Sequence, residues 1–207
     1  MILGWIGAGF FVCFETTASE SFPVYTGKNA IYRVSSEDIR PLKWAEIIDT
    51  EKNLYRIQSN LYRGKQPGSQ DVVLLKALNI KTIINFRAFH NDKKIFSDTK
   101  IHLIDIPIHT WDINDAHVIE ALSAIQRSLT RGGVLIHCQH GADRTGLISA
   151  MYRIVFQGWS KSDALSELTD GGFGYHSIWR NIPKYILNAD IEKIKQAIQS
   201  STGQTAI

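Results

Sequence analysis

The chain has 207 residues, 44% of them hydrophobic, with 23 Lys and Arg against 20 Asp and Glu for a formal charge of +3. That is the length and composition of one globular domain with a sizeable core, which excludes a disordered, fibrous or multi-domain protein. The slight positive balance is spread along the chain rather than gathered into a tail or stripe, so it favours a small anionic target over nucleic acid.

The chain opens with MILGWIGAGFFVCF, apolar and uncharged, followed by ETTASES with its small residues. Residues 1–20 read as an export signal, or as a short uncleaved anchor, because the run falls short of the roughly 20 apolar residues of a comfortable membrane span. A buried core segment is the plain alternative. No Lys or Arg precedes the run. The expected location is the periplasm, with proximity to a membrane if the segment is retained, and the domain is expected to be a monomer. Cleavage would remove Cys13 and leave Cys138 alone, so no intramolecular disulfide could form. A lone thiol kept in an oxidising compartment often serves chemistry.

Residues 21–52, with Pro23, Gly27 and Pro41 and no clear period, read as an irregular arm. The domain is expected over 53–200, followed by a flexible tail over 201–207. NLYRIQSNLYRGKQPG contains NLYR twice around a polar turn, which suits two short strands in a hairpin. SQDVVLLKALNI has helical spacing behind a capping Ser69, and KTIINF and IHLIDIPI read as strands. In NDAHVIEALSAIQRSL the residues Val118, Leu122, Ile125 and Leu129 share one helical face. GVLIHC is a strand, and GLISAMYRIVFQGW a helix too apolar for the surface. SKSDALSEL starts another helix at a capping serine, and NIPKYILNADIEKIKQAIQ closes the chain as one or two more. Alternating strands and helices predict an α/β fold with a mostly parallel central sheet flanked by helices.

The segment HCQHGADRTG, His137 to Gly146, lies where the strand GVLIHC ends and a helix begins. Ligands gather at the carboxyl ends of such strands, and a helix N-terminus favours an anion. Gly141 can adopt a conformation closed to other residues, so that successive N–H groups form a nest for phosphate oxygens. The same cup stabilises a thiolate at Cys138. Arg144 offers a planar fork for two oxygens of one phosphate, and the Thr145 hydroxyl can donate to the sulfur. Taken singly, Cys138 could be a small buried hydrophobe. Metal binding by His137, Cys138 and His140 lacks a second ligand pair at suitable spacing. The combination of strand, cysteine, glycine-bearing loop, arginine, threonine and helix points instead to a phosphate-binding loop with a nucleophile in it.

HCQHGADRTG resembles the H-C-x-x-G-x-x-R-[ST]-G loop of the cysteine-dependent protein tyrosine phosphatases, and the small size points to their dual-specificity branch. The likeness extends from about Asn53 to Gly174. It implies a dual-specificity-phosphatase-like fold and covalent catalysis with no cofactor and no metal. Cys138 would attack phosphorus, Arg144 would hold the phosphoryl oxygens with Gln139, His140, Gly141, Ala142 and Asp143 around them, and water would release phosphate. The implied substrate is a phosphorylated protein, phosphotyrosine first and phosphoserine or phosphothreonine besides. An inositol polyphosphate or phosphoinositide is the alternative, and an inactive phosphate-binding module a third. The loop holds no lysine, and Asp143 would repel further phosphates unless it turns away to a nearby base. The tyrosine-recognition and water-positioning glutamine loops of the large receptor-type members have no counterpart here, so strict tyrosine selectivity is not implied.

The resemblance also implies a general acid on a loop before the cysteine, where HTWDINDAHV offers Asp112 and Asp115. Asp112 follows Trp111, and Asp115 stands at the helix start where a carboxylate caps. Asp112 is therefore expected to be the acid and Asp115 structural. Arg87, His90, Lys93 and Lys94 in FRAFHNDKK would form either a basic rim or a solvated loop. The glycines and aromatics of GGFGYHSIWRN are expected to be structural.

Overall fold

In a computed structural model of the protein, residues 22–26, 30–34 and 40–203 are described. The N-terminal apolar run and Cys13 lie outside them. The chain divides into two compact units, Met1–Pro41 and Leu42–Ile207. In the first, β1 (Phe22–Thr26) pairs antiparallel with β2 (Ala30–Val34), Phe22 opposite Val34.

The second unit is built on a six-stranded sheet. Its strands are β3 (Glu46–Asp49), β4 (Leu54–Gln58), β5 (Leu61–Gly64), β6 (Ile80–Asn85), β7 (His102–Asp105) and β8 (Gly133–His137), in the order β3-β4-β5-β8-β6-β7. The pairs β5·β8, β8·β6 and β6·β7 are parallel, while β3·β4 and β4·β5 are antiparallel. The two NLYR copies thus lead into the antiparallel hairpin β4–β5. The arm expected to be irregular contributes β1, β2 and the edge strand β3. Short strands such as EIID, broken by a bulge between Ile47 and Asp49, carry too little period to be read from sequence.

The helices are α1 (Val72–Ala77), α2 (Lys93–Phe96), α3 (Asp115–Leu129), α4 (Asp143–Gln157), α5 (Lys161–Asp170), α6 (Asn181–Asn188) and α7 (Ile191–Gly203). Side chains alternate across the sheet. Leu61, Ile84, Val134 and Ile136 face the core shared with α3 to α7, and Tyr62, Ile83 and Leu135 face the smaller core under α1 and α2. On α3, Val118, Leu122 and Ile125 are fully buried, and α4 is buried along almost its whole length. Ser160 caps α5 as expected, its hydroxyl accepting from the Asp163 N–H at 3.0 Å. Ser69 is not a cap. A single 3-10 turn over Ser69–Asp71 precedes α1, and the Asp71 carboxylate accepts from the Gly68 N–H at 2.8 Å. The segment expected as a tail is helical through Gly203.

A buried ion pair joins the helical layer to the hairpin. Arg153 on α4 donates from Nε and Nη2 to both oxygens of Glu167 on α5, at 2.9 and 2.8 Å, and from Nη1 to the Ile57 carbonyl of β4 at 3.1 Å. Both side chains are almost wholly buried, and the Ala45 N–H donates to the same carboxylate at 2.6 Å. Removing one partner leaves an uncompensated buried charge, so Glu167→Ala is expected to lower unfolding free energy by about 3–5 kcal/mol. Urea denaturation checks this, and a loss below about 1 kcal/mol, the range of exposed pairs, would show the charge to be solvated.

Candidate active site

β8 lies inside the parallel part of the sheet, and Cys138 is the first residue past its carboxyl end. Cys138 is only 2% exposed, a thiol at the base of a loop rather than on the surface. The loop runs to Ala142, and α4 starts at Asp143.

Four consecutive loop carbonyls are held by donors from outside. The His137 Nδ1–H donates to the Cys138 carbonyl at 3.0 Å, the Gln66 N–H to Gln139 at 3.1 Å, the Asn53 side-chain amide to His140 at 2.8 Å, and Arg63 Nη2 to Gly141 at 2.8 Å. In a planar trans peptide the N–H of the next residue points opposite to the carbonyl. With the carbonyls drawn outward, the N–H groups of Gln139 to Ala142 face the other side of the loop, where with the first turn of α4 they form an anion cup.

Gly141 has φ +76°, in the left-handed region, and a Cβ there would lie 2.5 Å from the carbonyl group of Gly64 on β5. Only glycine meets both demands. Arg63, 1% exposed, sits beneath the loop with its guanidinium carbon 3.5 Å from the centre of the Phe173 ring.

Arg144 is half-buried, with Nη1 3.4 Å from the Phe86 carbonyl and 3.5 Å from that of Ile108. Together with Gln139 it lines a cleft of about 200 Å³ whose other walls include Arg87, Phe89, His109 and Trp111. Phe89 and Trp111 are largely exposed, and the His109 ring stands between them with centroids at 5.4 and 4.8 Å. Asp143 turns away from the loop. Its Oδ1 accepts from the His176 N–H at 2.9 Å, and its Oδ2 lies 2.9 Å from His176 Nδ1. Asp143 thus turns to a nearby base, His176 in GGFGYHSIWRN, the one arrangement in which the sequence reading does not have it repel further phosphates. His140 is exposed, its ring 5.7 Å from that of His176. The Thr145 hydroxyl, expected to donate to the sulfur, is fully buried and makes no hydrogen bond, to Cys138 or to any other of the described residues.

Behind the loop runs a second chain of contacts. His137 Nε2 lies 2.7 Å from Asp92 Oδ2, the Gln66 amide donates to Asp92 Oδ1 at 3.0 Å, and Arg87 Nη1 donates to Gln66 Oε1. Arg87 alone of the expected basic rim lines the cleft; His90, Lys93 and Lys94 are exposed outside it. Among the described residues no group of three or more His, Cys, Asp or Glu is placed to hold a metal ion.

The two acid candidates separate. Asp112 is exposed in a turn beside the cleft wall, its N–H donating to the His109 carbonyl at 3.0 Å. Asp115 lines a different depression, with Asn181, Lys184 and Tyr185. Its carboxylate accepts from Tyr185 at 2.9 Å and Lys193 at 3.0 Å, tying α3 to α6 and α7. Asp115 is not the cap of α3. Asn114 is, with its side chain accepting from the His117 N–H at 3.2 Å. Adjacent Asn and Asp are equally good caps, so sequence alone does not set the register.

Asn53, Arg63, Gln66, Asp92 and His176 hold the loop and its flanks, and the sequence reading passed over them. Arg63 carried no signal, since Arg56 holds the same place in the first NLYR and is half-buried beside Glu46. The others are bonded across 21 to 120 residues of chain, which no local pattern records.

Residues 61–178 match the family described as dual specificity phosphatase, catalytic domain. A curated relative, the dual specificity protein phosphatase TpbA of Pseudomonas aeruginosa, is 39% identical over 155 residues, covering 75% of this chain and 71% of the relative. The crystal structure of P. aeruginosa TpbA superposes with a TM-score of 0.73 at 38% identity, over 78% of this chain and 99% of that one. A Cys-to-Ser form of TpbA in complex with phosphotyrosine gives a TM-score of 0.73 at 37% identity, with the same coverage. The core of the PP-IP phosphatase Siw14 from Saccharomyces cerevisiae, at 21% identity and TM-score 0.62 over 72% of this chain and 93% of that one, shares the fold.

The Lys193 ammonium, outweighing burial and joined by the Tyr185 hydroxyl, holds the Asp115 carboxyl below its usual value. A carboxyl depressed by folding adds stability above its unfolded value near 4, and that stability is lost as pH falls through the lower folded value. Asp115→Asn is therefore expected to lower Tm at pH 7 and to converge on the parent protein as pH falls below the carboxyl's depressed folded value. Parallel Tm curves over that range would refute the tie.

Proposed function

Because the chain belongs to the dual specificity phosphatase family, a cysteine-dependent phosphatase, we propose that its substrates are phosphotyrosyl proteins, dephosphorylated through Cys138. The observation that carries this reading is the loop of inward N–H groups beside Arg144, opening into a cleft rimmed by the exposed aromatic rings of Phe89 and Trp111. The phosphotyrosine complex of the related TpbA supports it.

In the proposed reaction the Cys138 thiolate attacks phosphorus while Arg144 and the loop N–H groups hold the phosphoryl oxygens. The P–O bond breaks, its electron pair goes to the tyrosyl oxygen, and that oxygen takes a proton from Asp112. Water then attacks the phosphocysteine and returns a proton to Asp112. The P–S bond breaks, its electron pair returns to Cys138 as the thiolate, and phosphate leaves. The position of Asp112 beside Trp111, and the engagement of Asp115 elsewhere, support this choice of acid. The inositol polyphosphate alternative has less support. Siw14 shares only the fold, and the loop from Cys138 to Arg144 holds no lysine. Phosphoserine and phosphothreonine are proposed as lesser substrates. We also propose that residues 1–20 direct export to the periplasm, a reading supported by their apolar, uncharged start.

Cys138→Ser is expected to abolish hydrolysis of para-nitrophenyl phosphate, and surviving turnover would refute the nucleophile. On an aryl phosphate with a poor leaving group, Asp112→Asn should cost roughly a hundred- to ten-thousand-fold in rate. If Asp115→Asn shows that loss and Asp112→Asn does not, the acid is reassigned. Mass spectrometry of the mature N-terminus from a fractionated cell checks export. An intact Met1 in the cytoplasmic fraction would end that proposal.

A further inference from the structure

Arg87 is held more tightly than a rim residue on a solvated loop would be. Its backbone N–H donates to Asn85 Oδ1 at 2.9 Å, and its guanidinium donates to Gln66 Oε1. Gln66 is clamped in turn by the buried Asp92 at 3.0 Å and by its own backbone bond to the Gln139 carbonyl at 3.1 Å. One glutamine thus fixes the guanidinium relative to the catalytic loop. The partner is neutral. Among the described residues, Arg87 takes part in no ion pair within 4.0 Å, and Asp92 is itself committed to His137. An oriented cation with no acid to balance it therefore forms one wall of the cleft that Arg144 also lines.

We propose that Arg87 is a second anion-binding group of this cleft, taking the carboxylate of an acidic residue that neighbours the phosphotyrosine in the substrate. This rests on the phosphotyrosyl reading above. The phosphoryl group is already met by Arg144 and the loop N–H groups, and Gln66 holds one guanidinium nitrogen at the wall, leaving the remaining N–H donors for a planar carboxylate. Phe89 and Trp111, on the same rim, suit the tyrosyl ring, so a carboxylate beside that ring comes within the same cleft as Arg87.

The test uses phosphotyrosyl peptides that differ only at the residues flanking the phosphotyrosine, Glu or Gln, with kcat/KM measured for the parent enzyme, Arg87→Gln, Arg87→Lys and Gln66→Leu. The parent is expected to favour the Glu peptide by about tenfold at low salt, a charge-assisted bond's worth, and the ratio should shrink as salt is raised. The ratio should fall to about one in Arg87→Gln, lie between in Arg87→Lys, and drop in Gln66→Leu, which frees the guanidinium without removing its charge. Circular dichroism shows which variants are folded, and the salt dependence in the parent enzyme needs no variant. A parent ratio within about twofold, or a ratio that survives Arg87→Gln, overturns the proposal. So does an equal loss on both peptides, which would assign Arg87 to the phosphoryl group. A flanking phosphoserine preferred over Glu would replace the carboxylate by a second phosphate and overturn it as well. Hydrolysis of phenyl phosphate with no turnover of any phosphotyrosyl peptide would instead refute the tyrosyl reading.

Discussion

The site depends on the direction of four carbonyl groups. A peptide loop left to itself has no reason to turn successive N–H groups to the same side, because each carbonyl would seek its own partner. Here the carbonyls of Cys138, Gln139, His140 and Gly141 all have partners on the outside, supplied by His137, Gln66, Asn53 and Arg63. The cost of converging several N–H dipoles is met during folding. An incoming phosphoryl group would find them already oriented.

Three of those four donors come from the hairpin β4–β5 and its flanks, so the repeated NLYR segment is the scaffold of the loop as well as part of the sheet. The hairpin is itself fixed from the other side. Arg153 of α4 donates to the Ile57 carbonyl of β4, and its charge is matched by Glu167 of α5. The helix that presents its N-terminus to the anion is thus locked to the strands that hold the loop. Rigid supports of this kind keep catalytic geometry within the narrow tolerance that in-line displacement requires.

The elements and the site were legible to different degrees, for a physical reason. Helical and strand periods depend on neighbours along the chain, so the buried face of α3, the apolar α4 and the Ser160 cap could all be read locally. Cys138, Gly141 and Arg144 were legible because the loop packs thiol, turn and cation into a few residues. Their supports were not, since Asp92 meets His137 across 45 residues and nothing near either one signals the pairing. Asp115 shows the limit from another side. A carboxylate at a helix start suits a cap, yet its actual partners, Tyr185 and Lys193, arrive from the end of the chain.

Asn53 is confined by two constraints of different origin. Its φ of +47° places it in the left-handed region, where glycine, asparagine and aspartate are the residues most readily accommodated. Its amide nitrogen donates to two carbonyls, those of His140 at 2.8 Å and Phe173 at 2.9 Å. Aspartate would present oxygens to those carbonyls, and glycine nothing at all. Backbone shape admits three amino acids and hydrogen-bond polarity strikes out two, so this position, distant in sequence from the cysteine, has as little room to vary as the glycine in the loop itself.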